Sequence, residues 1–129
     1  MQNYNLKRKT NKTFDLKKRV YIYALDIIEF LENLPKDYIS QIIGKQLLRS
    51  ATSIGANIIE AQAASSKKDF VNFFSIALKS ANESKFWLVL LRDSQKAQSE
   101  AVNRLLEETN ELGKIIGASI LTAKGKRKF

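Results

Sequence analysis

Apolar residues recur at steps of three and four along four separate stretches of the chain. This spacing places them on one face of a helix, so each stretch predicts an amphipathic α-helix. The four apolar stripes are Val20, Ala24, Ile27, Leu31 and Leu34; then Ile43, Leu47, Ala51, Ile54, Ile58 and Ala61; then Phe70, Phe74, Ala77, Ala81, Leu88 and Leu91; and finally Val102, Leu105, Leu106, Leu112, Ile116 and Ile120.

The segments between the stripes carry helix stop and start signals. Pro35 ends the first helix because it has no backbone N–H to donate, and Ser66 followed by Asp69 resembles a capping box. The predicted helices are 14–34, 38–64, 66–92 and 99–122. Short connections make consecutive helices antiparallel, so residues 14–123 predict an all-α fold, an up-down-up-down antiparallel four-helix bundle.

The formal net charge of +9 on the 129 residues is concentrated at the two ends of the chain. Residues 13–123 hold 14 basic and 13 acidic side chains, so the bundle itself is almost neutral. The N-terminal tail (residues 1–13) carries Lys7, Arg8, Lys9 and Lys12, and the C-terminal tail (124–129) carries Lys124, Lys126, Arg127 and Lys128, with no acidic residue in either. The polar N-terminus predicts no secretory signal, and no apolar segment is long enough to span a membrane. We therefore expect a cytoplasmic protein.

The residue types that usually carry catalysis are scarce. There is no histidine and no cysteine, which removes the commonest general base, thiol nucleophiles and thiolate metal ligands. A di-iron bundle site needs Glu-x-x-His, which this chain cannot supply. The sequence thus predicts a protein that is not an enzyme and needs no cofactor or metal.

The apolar surface is wider than the core of one bundle requires. Aromatic residues lie beside the main stripes at Tyr21, Tyr23, Phe73, Phe86 and Trp87. Large aromatic side chains on a second face are typical of subunit interfaces, so we predict that these five residues mediate self-association. The alternative is that several of them only widen the core.

A polar stripe adjoins the apolar face of the second helix. Arg49, Ser53, Asn57 and Glu60 are spaced by four, four and three residues and share one side. These residues are compatible with a ligand-binding groove or with a structural hydrogen-bond network between helices. We predict the network, completed by Ser80 and Glu83 of the third helix, because buried polar groups need partners.

Residues 46–61 and 65–70 resemble a known family. An arginine, a Ser-Ile pair, Asn-Ile-x-Glu and Ser-Lys-Lys-Glu/Asp-Phe are found here in order, at Arg49, Ser53-Ile54, 57–60 and 66–70. Segments 75–78 and 83–88 also fit, and the chain departs from the pattern at Ala61, where many members have glycine. Over residues 14–122 the chain thus resembles the four-helix bundle proteins encoded in intervening sequences of 23S ribosomal RNA genes.

This resemblance implies a ring-shaped homopentamer without enzymatic activity. Residues 86–88 and 113–122 are also similar to a related branch, the accessory variability determinant proteins of diversity-generating retroelements. That branch implies binding to nucleic acid and a reverse transcriptase as partner.

The basic tails predict electrostatic binding of nucleic acid, either RNA or RNA paired with DNA, because cations that neutralise phosphates release counterions. Lys17, Lys18 and Arg19 extend the N-terminal charge onto the first helix. No base-reading motif is present, so sequence-specific recognition is not expected. Two alternatives are tails that only aid solubility and a protein-interaction scaffold with no role in nucleic-acid binding.

Overall fold

The computed structural model describes residues 15–125, which form four α-helices and no β-strand. We number them α1 (Leu16–Glu32), α2 (Tyr38–Gln62), α3 (Lys67–Asp93) and α4 (Ser99–Ala123). The all-α prediction is confirmed for this part of the chain. No helix in residues 15–125 is long and apolar enough to cross a membrane.

Side-chain caps define where three of the helices begin. Asp15, Asp37 and Ser66 each accept a hydrogen bond from the backbone N–H three residues later, at Lys18, Ser40 and Asp69. These caps satisfy N–H groups that have no partner within the helix. The cap predicted at Ser66 is therefore present. Helix α1 ends at Glu32, two residues before the predicted end, because a proline disfavours helical geometry in the residue that precedes it and Pro35 follows closely.

The connection between α3 and α4 contains the one non-glycine residue with positive φ among residues 15–125, Gln95 at 63°. The Gln95 N–H donates to the carbonyl of Arg92, and the Lys96 N–H donates to the carbonyl of Leu91. This is a Schellman motif, which usually has glycine at the left-handed position. It reverses the chain within a few residues and directs α4 back along α3.

Contacts between neighbouring helices show that they alternate in direction. On α2, Gly44 faces Leu31 of α1 and Leu34 just after α1, while Gly55 faces Val20, so the two helices are antiparallel. Likewise Ser50 bonds Ser84 and Ser53 bonds Ser80 across α2 and α3. The helices therefore surround one core in the order α1, α2, α3, α4, and α4 closes against α1.

The core contains one residue that was predicted to lie at a subunit interface. Tyr23 is 1% exposed and belongs to the hydrophobic core, so its assignment to an interface was wrong. Its position three residues after Val20 and four before Ile27 places it on the same side of α1 as these buried residues. Tyr23, which the sequence suggested lies beside the apolar stripe of α1, is thus part of that stripe.

Candidate nucleic-acid interface

The alternating helices bring distant parts of the sequence to one end of the bundle. α1 and α3 begin there, and α2 and α4 end there. We call this the basic end, because five lysines lie on it: Lys17 and Lys18 in the first turn of α1, Lys67 and Lys68 at the start of α3, and Lys124 just after α4. Both basic tails continue from the same end, since the described residues begin at Asp15 and stop at Gly125.

The lysines of the basic end differ from the cations of the opposite end in how they are paired. Within residues 15–125, none of the five is in an ion pair, and four of them are exposed while Lys18 is half-buried. Near the opposite end, Arg92 pairs with Asp93 at 2.9 Å and Lys96 with Asp37 at 3.4 Å, while Lys36 and Arg104 have no ion pair among the described residues. The lysines of the basic end therefore present charge that the described residues do not neutralise.

Two of the three carboxylates at the basic end stabilise the start of a helix. Asp15 caps α1 through its side chain, and Asp69 lies in the first turn of α3, where the helix dipole favours an anion. The side chain of Glu60 is exposed near the end of α2. These three acidic residues are outnumbered by the five lysines of the basic end. The sequence of 1–14 and 126–129 adds seven further basic residues.

Lys67 and Lys68 occupy positions that helix stability disfavours. The N-terminus of a helix carries partial positive charge, so cations in the first turn are unfavourable by a few tenths of a kcal/mol, up to about 1 kcal/mol. Helix formation therefore does not explain two consecutive lysines there. The sequence alone did not indicate Lys67 and Lys68 as nucleic-acid-binding residues, because only the antiparallel packing brings the α2–α3 turn to the same end as the two tails.

The residues that the sequence did predict to bind nucleic acid fall into three groups. Lys17, Lys18 and Lys124 lie on the basic end as described. Arg19 instead turns towards α4, where its Nε and Nη2 atoms donate to the two carboxylate oxygens of Glu108 at 3.0 and 2.7 Å. This bond to Glu108 raises the pKa of Arg19 above its ordinary value, against the opposing effect of burial, and occupies its donors. Lys7, Arg8, Lys9, Lys12, Lys126, Arg127 and Lys128 lie outside the described residues.

The polar stripe of α2 contacts α3 as two separate groups. Arg49 donates to Glu83 at 3.1 Å, and Glu83 also accepts from the indole N–H of Trp87 at 2.9 Å. Ser80 donates to Ser53 at 2.9 Å, and the amide of Asn57 donates to Ser53. The assignment of Glu60 to this network was wrong. Its side chain is exposed near the end of α2 and, within residues 15–125, forms no hydrogen bond to any of these residues.

A second set of polar groups, not foreseen from the sequence, lies inside the bundle with one hydroxyl from each helix. Tyr23 contacts Thr109 at 2.6 Å, and Ser50 contacts Ser84 at 2.8 Å. Thr109 donates to the carbonyl of Leu105, so the phenol of Tyr23 is the donor to Thr109. Burial raises the pKa of Tyr23 to about 12, although its bonds to Thr109 and Ser84 act in the opposite direction. These groups satisfy one another and fix the relative positions of the helices.

Of the four remaining residues predicted at an interface, two are exposed and two are partly buried. Tyr21 and Phe86 are exposed, at 51% and 58%. Phe73 and Trp87 are partly buried and pack against the core, so they match the alternative in which aromatic residues widen it. Phe86 meets the edge of Trp87 with 5.0 Å between ring centroids.

The described surface offers little to a small ligand. A shallow, open depression runs along α4, beside residues such as Glu100, Arg104 and Glu107. Among residues 15–125, no group of three or more Asp, Glu, His or Cys side chains is arranged to hold a metal ion. The basic end is thus the feature of the molecule with the clearest chemical preference, namely for anions.

Comparison with known proteins identifies relatives of this chain. The model of the family described as 23S rRNA-intervening sequence protein matches residues 12–118. A crystal structure of a protein of unknown function, from the S23 ribosomal protein family of Bacteroides thetaiotaomicron, is similar with a TM-score of 0.75 and 38% sequence identity. The match covers 81% of this chain and 97% of that one. No curated protein matches the sequence.

Proposed function

Because the chain belongs to the 23S rRNA-intervening sequence protein family, we propose that it is a non-enzymatic, self-associating bundle that binds RNA electrostatically. The observation that carries this proposal is the basic end. Five lysines without an ion pair lie there among the described residues, and both basic tails continue from it. Clustered cations gain affinity for a phosphate backbone through counterion release, and they require no base-reading motif.

The basic end favours binding to the backbone over reading of bases. The exposed rings of Tyr38 and Phe86 lie elsewhere on α2 and α3, and the large apolar side chains that are exposed near the basic end, Ile59 and Leu121, are aliphatic. Sequence-specific recognition of RNA usually uses aromatic stacking and contacts to base edges. We therefore propose recognition of the charge and shape of a folded RNA.

Self-association is proposed from the exposed apolar side chains. Within residues 15–125, ten large hydrophobic residues are at least 38% exposed: Tyr21, Ile28, Tyr38, Ile39, Ile42, Leu48, Ile59, Ile76, Phe86 and Leu121. Where exposed apolar side chains lie next to one another, they mark a site of interaction with another protein. A ring of five and a reverse transcriptase as partner stay predictions from the resemblance. In an assembly the basic ends would be repeated, which adds avidity to each weak contact.

The test of RNA binding compares two double variants with the wild-type protein. Lys67→Gln/Lys68→Gln removes two charges from the basic end, and Lys36→Gln/Arg104→Gln removes two exposed, unpaired charges near the opposite end as a matched control. Binding to a labelled RNA stem-loop is measured by fluorescence anisotropy from 50 to 300 mM KCl. We expect the first variant to bind roughly tenfold more weakly, with the slope of log K against log salt reduced by about 2.

The control should bind like the wild-type protein. Equal losses in both variants would mean that only net charge matters and would overturn the assignment to the basic end. Binding that does not change with salt would overturn the electrostatic mechanism. Replacing Lys124, Lys126, Arg127 and Lys128 with Gln extends the test to the C-terminal tail, where a larger loss is expected.

A further inference from the structure

The lysines of the basic end lie at two levels. Val20 of α1 faces Gly55 of α2, and Ser80 of α3 bonds Ser53 of α2, so these contacts fix the heights of α1 and α3 relative to α2. At a rise of about 1.5 Å per residue, α1 begins about 10 Å short of the level at which α3 begins. This end of the bundle is therefore stepped, and the first turn of α1 is its lower part.

Helix α4 ends at the upper level. Gly113 of α4 faces Leu78 of α3, and from this contact α4 runs on to its last residue over about 15 Å. The distance from Leu78 back to the start of α3 is similar, about 16 Å. We call Lys67, Lys68 and Lys124 the upper group, and Lys17 and Lys18 the lower group.

The two groups also lie on different sides of the bundle. Within residues 15–125, α1 packs against α2 and α4 but not against α3, so α1 and α3 are at diagonal corners. Packed helices have axes about 8–10 Å apart, which places diagonal axes about 11–14 Å apart. With the difference in height, the first turns of α1 and α3 are about 15–17 Å apart. This is about twice the Debye length of about 8 Å at physiological salt, so the two groups attract separate phosphates.

Within residues 15–125, no exposed aromatic ring lies between the two groups. Phe70, near the start of α3, stacks on Phe74 with 4.4 Å between ring centroids and packs against the core. The exposed ring of Tyr21 lies further along α1 than the lower group, away from the upper group. Proteins that bind single strands without sequence preference combine a basic groove with aromatic rings on which bases stack. The described part of the basic end supplies the cations without the stacking surface.

An RNA double helix presents two rows of phosphates at a fixed separation. In A-form RNA the wide, shallow minor groove lies between these rows, and proteins that recognise double-stranded RNA contact phosphates and 2′-hydroxyls across it. The packed helices likewise hold the two lysine groups apart. A single strand reaches both groups only by losing conformational freedom, whereas the duplex is already rigid, and a pre-organised ligand loses less on binding.

We propose that the basic end binds an RNA double helix across a groove, with the lower group on the phosphates of one strand and the upper group on those of the other. This inference rests on the RNA binding in the proposed function and names its substrate class. Each basic tail adjoins one group in the sequence, since residues 1–14 precede the lower group and 126–129 follow Lys124 of the upper group. The tails thus add cations next to both groups.

The first test compares a duplex with a single strand. A labelled RNA duplex of about 16 base pairs, the length that double-stranded-RNA-binding domains span, is titrated beside one of its strands alone. Fluorescence anisotropy at about 0.15 M KCl measures both affinities. The wild-type protein should bind the duplex on the order of tenfold more tightly, because the duplex offers twice the charge along its axis and is pre-organised.

Two double variants then remove one group each. Lys17→Gln/Lys18→Gln and Lys67→Gln/Lys68→Gln should each weaken duplex binding roughly tenfold, because each releases about two fewer counterions. The Lys36→Gln/Arg104→Gln control should bind the duplex like the wild-type protein. Circular dichroism checks the helix content, which should not fall, since cations in the first turn of a helix do not stabilise it.

The second test separates contact with two strands from contact with one. One strand of the duplex is made with methylphosphonate linkages, which carry no charge. The wild-type protein should lose roughly tenfold in affinity for this duplex, as much as from the loss of one lysine group. For Lys67→Gln/Lys68→Gln the neutral strand should cost little more, because its remaining group still meets a charged strand.

Three outcomes would contradict the proposal. Full wild-type affinity for the half-neutral duplex would show that both groups contact one strand. Equal affinity for the duplex and the single strand would assign binding to the tails, whose sequences include Tyr4, Phe14 and Phe129. Either result overturns the contact with two strands and leaves the RNA binding in the proposed function in place. A protein that binds neither RNA would overturn both.

Discussion

The helix pair α2–α3 and the helix pair α1–α4 are held together in different ways. α2 and α3 pack along most of their length, and α1 and α4 meet over a short stretch. Small buried residues, among them Ser50, Ala77 and Ser84, line the first seam. The second is bridged by long side chains, with Arg19 reaching Glu108 and Tyr23 reaching Thr109. Small side chains let two backbones approach closely, whereas long ones span a wider gap.

This difference predicts how stability is distributed. Close packing over many turns gives α2 and α3 numerous dispersion contacts, each small but large in sum. α1, the shortest helix at 17 residues, adjoins a seam with two specific polar links. Segments with few buried contacts open at lower free energy than the rest of a structure. We therefore expect α1 to be the least protected helix in hydrogen exchange.

The largest effect is expected from filling the α2–α3 seam. Ser84 is fully buried with its hydroxyl 2.8 Å from that of Ser50, so Ser84→Leu has no room and should lower the free energy of unfolding by about 3 kcal/mol or more. Ser84→Ala, which adds no volume, should cost only about 1 kcal/mol. Denaturant unfolding followed by circular dichroism measures both.

Gly117 of α4 is the matched control for this steric argument. A Cβ atom there would meet nothing within 4 Å, so Gly117→Ala should stabilise the protein by about 1 kcal/mol through helix propensity. If Ser84→Leu is tolerated as well as Ser84→Ala, then the α2–α3 seam is not tightly packed, and the contrast between the two helix pairs is lost.

An intermediate effect is expected at the buried phenol that joins α1 to α4. Tyr23→Phe removes its hydrogen bond to Thr109 and should cost about 1 kcal/mol at neutral pH. Burial raises the pKa of Tyr23 from 10.0 in the unfolded chain to about 12. Between these values the unfolded chain loses the proton and the folded protein keeps it, so the stability that the neutral phenol contributes is lost as pH rises.

Over this window the stability of the wild-type protein should fall more steeply than that of Tyr23→Phe, by about 1.4 kcal/mol per pH unit. The difference is measured by urea titrations at several pH values from about 9 to about 12, a range that spans the two pKa values. Parallel curves for the two proteins would show that Tyr23 is not buried against Thr109 in solution.

The smallest effect is expected at the surface of the same seam. Arg19→Gln and Glu108→Gln should each cost about 0.5–1 kcal/mol, since the two side chains are only 18% and 32% exposed and form two hydrogen bonds. A double-mutant cycle should give a favourable coupling of similar size that decreases in 1 M NaCl. The loss of protection in hydrogen exchange should be largest in α1. A coupling of zero would show that the ion pair between Arg19 and Glu108 does not stabilise the contact between α1 and α4.

Much of the fold followed from the sequence because it depends on local signals. Apolar residues at helical spacing located all four helices, and Pro35 and Ser66 marked helix boundaries that the structure places within about two residues of the predictions. The family pattern around Arg49 and Ser53 was equally readable, and the family model covers residues 12–118. These features need only the residue types and their order along the chain.

The positions of single side chains were less predictable. Tyr23 and Trp87 are both aromatic residues beside an apolar stripe, but one is in the core and the other partly covers it. Arg19 follows two lysines in the sequence, yet it turns to Glu108, which is 89 residues away. Rotation of a helix by a fraction of a turn decides such differences, and periodicity does not specify that rotation.

The sequence by itself determined that this chain forms four amphipathic helices and that its excess positive charge is concentrated in the tails. Only the tertiary structure placed Lys67 and Lys68 at the same end of the bundle as the first turn of α1 and the end of α4. The physical reason is that helices form from contacts three or four residues apart, whereas a charged surface is the sum of side chains that packing brings together from the whole chain.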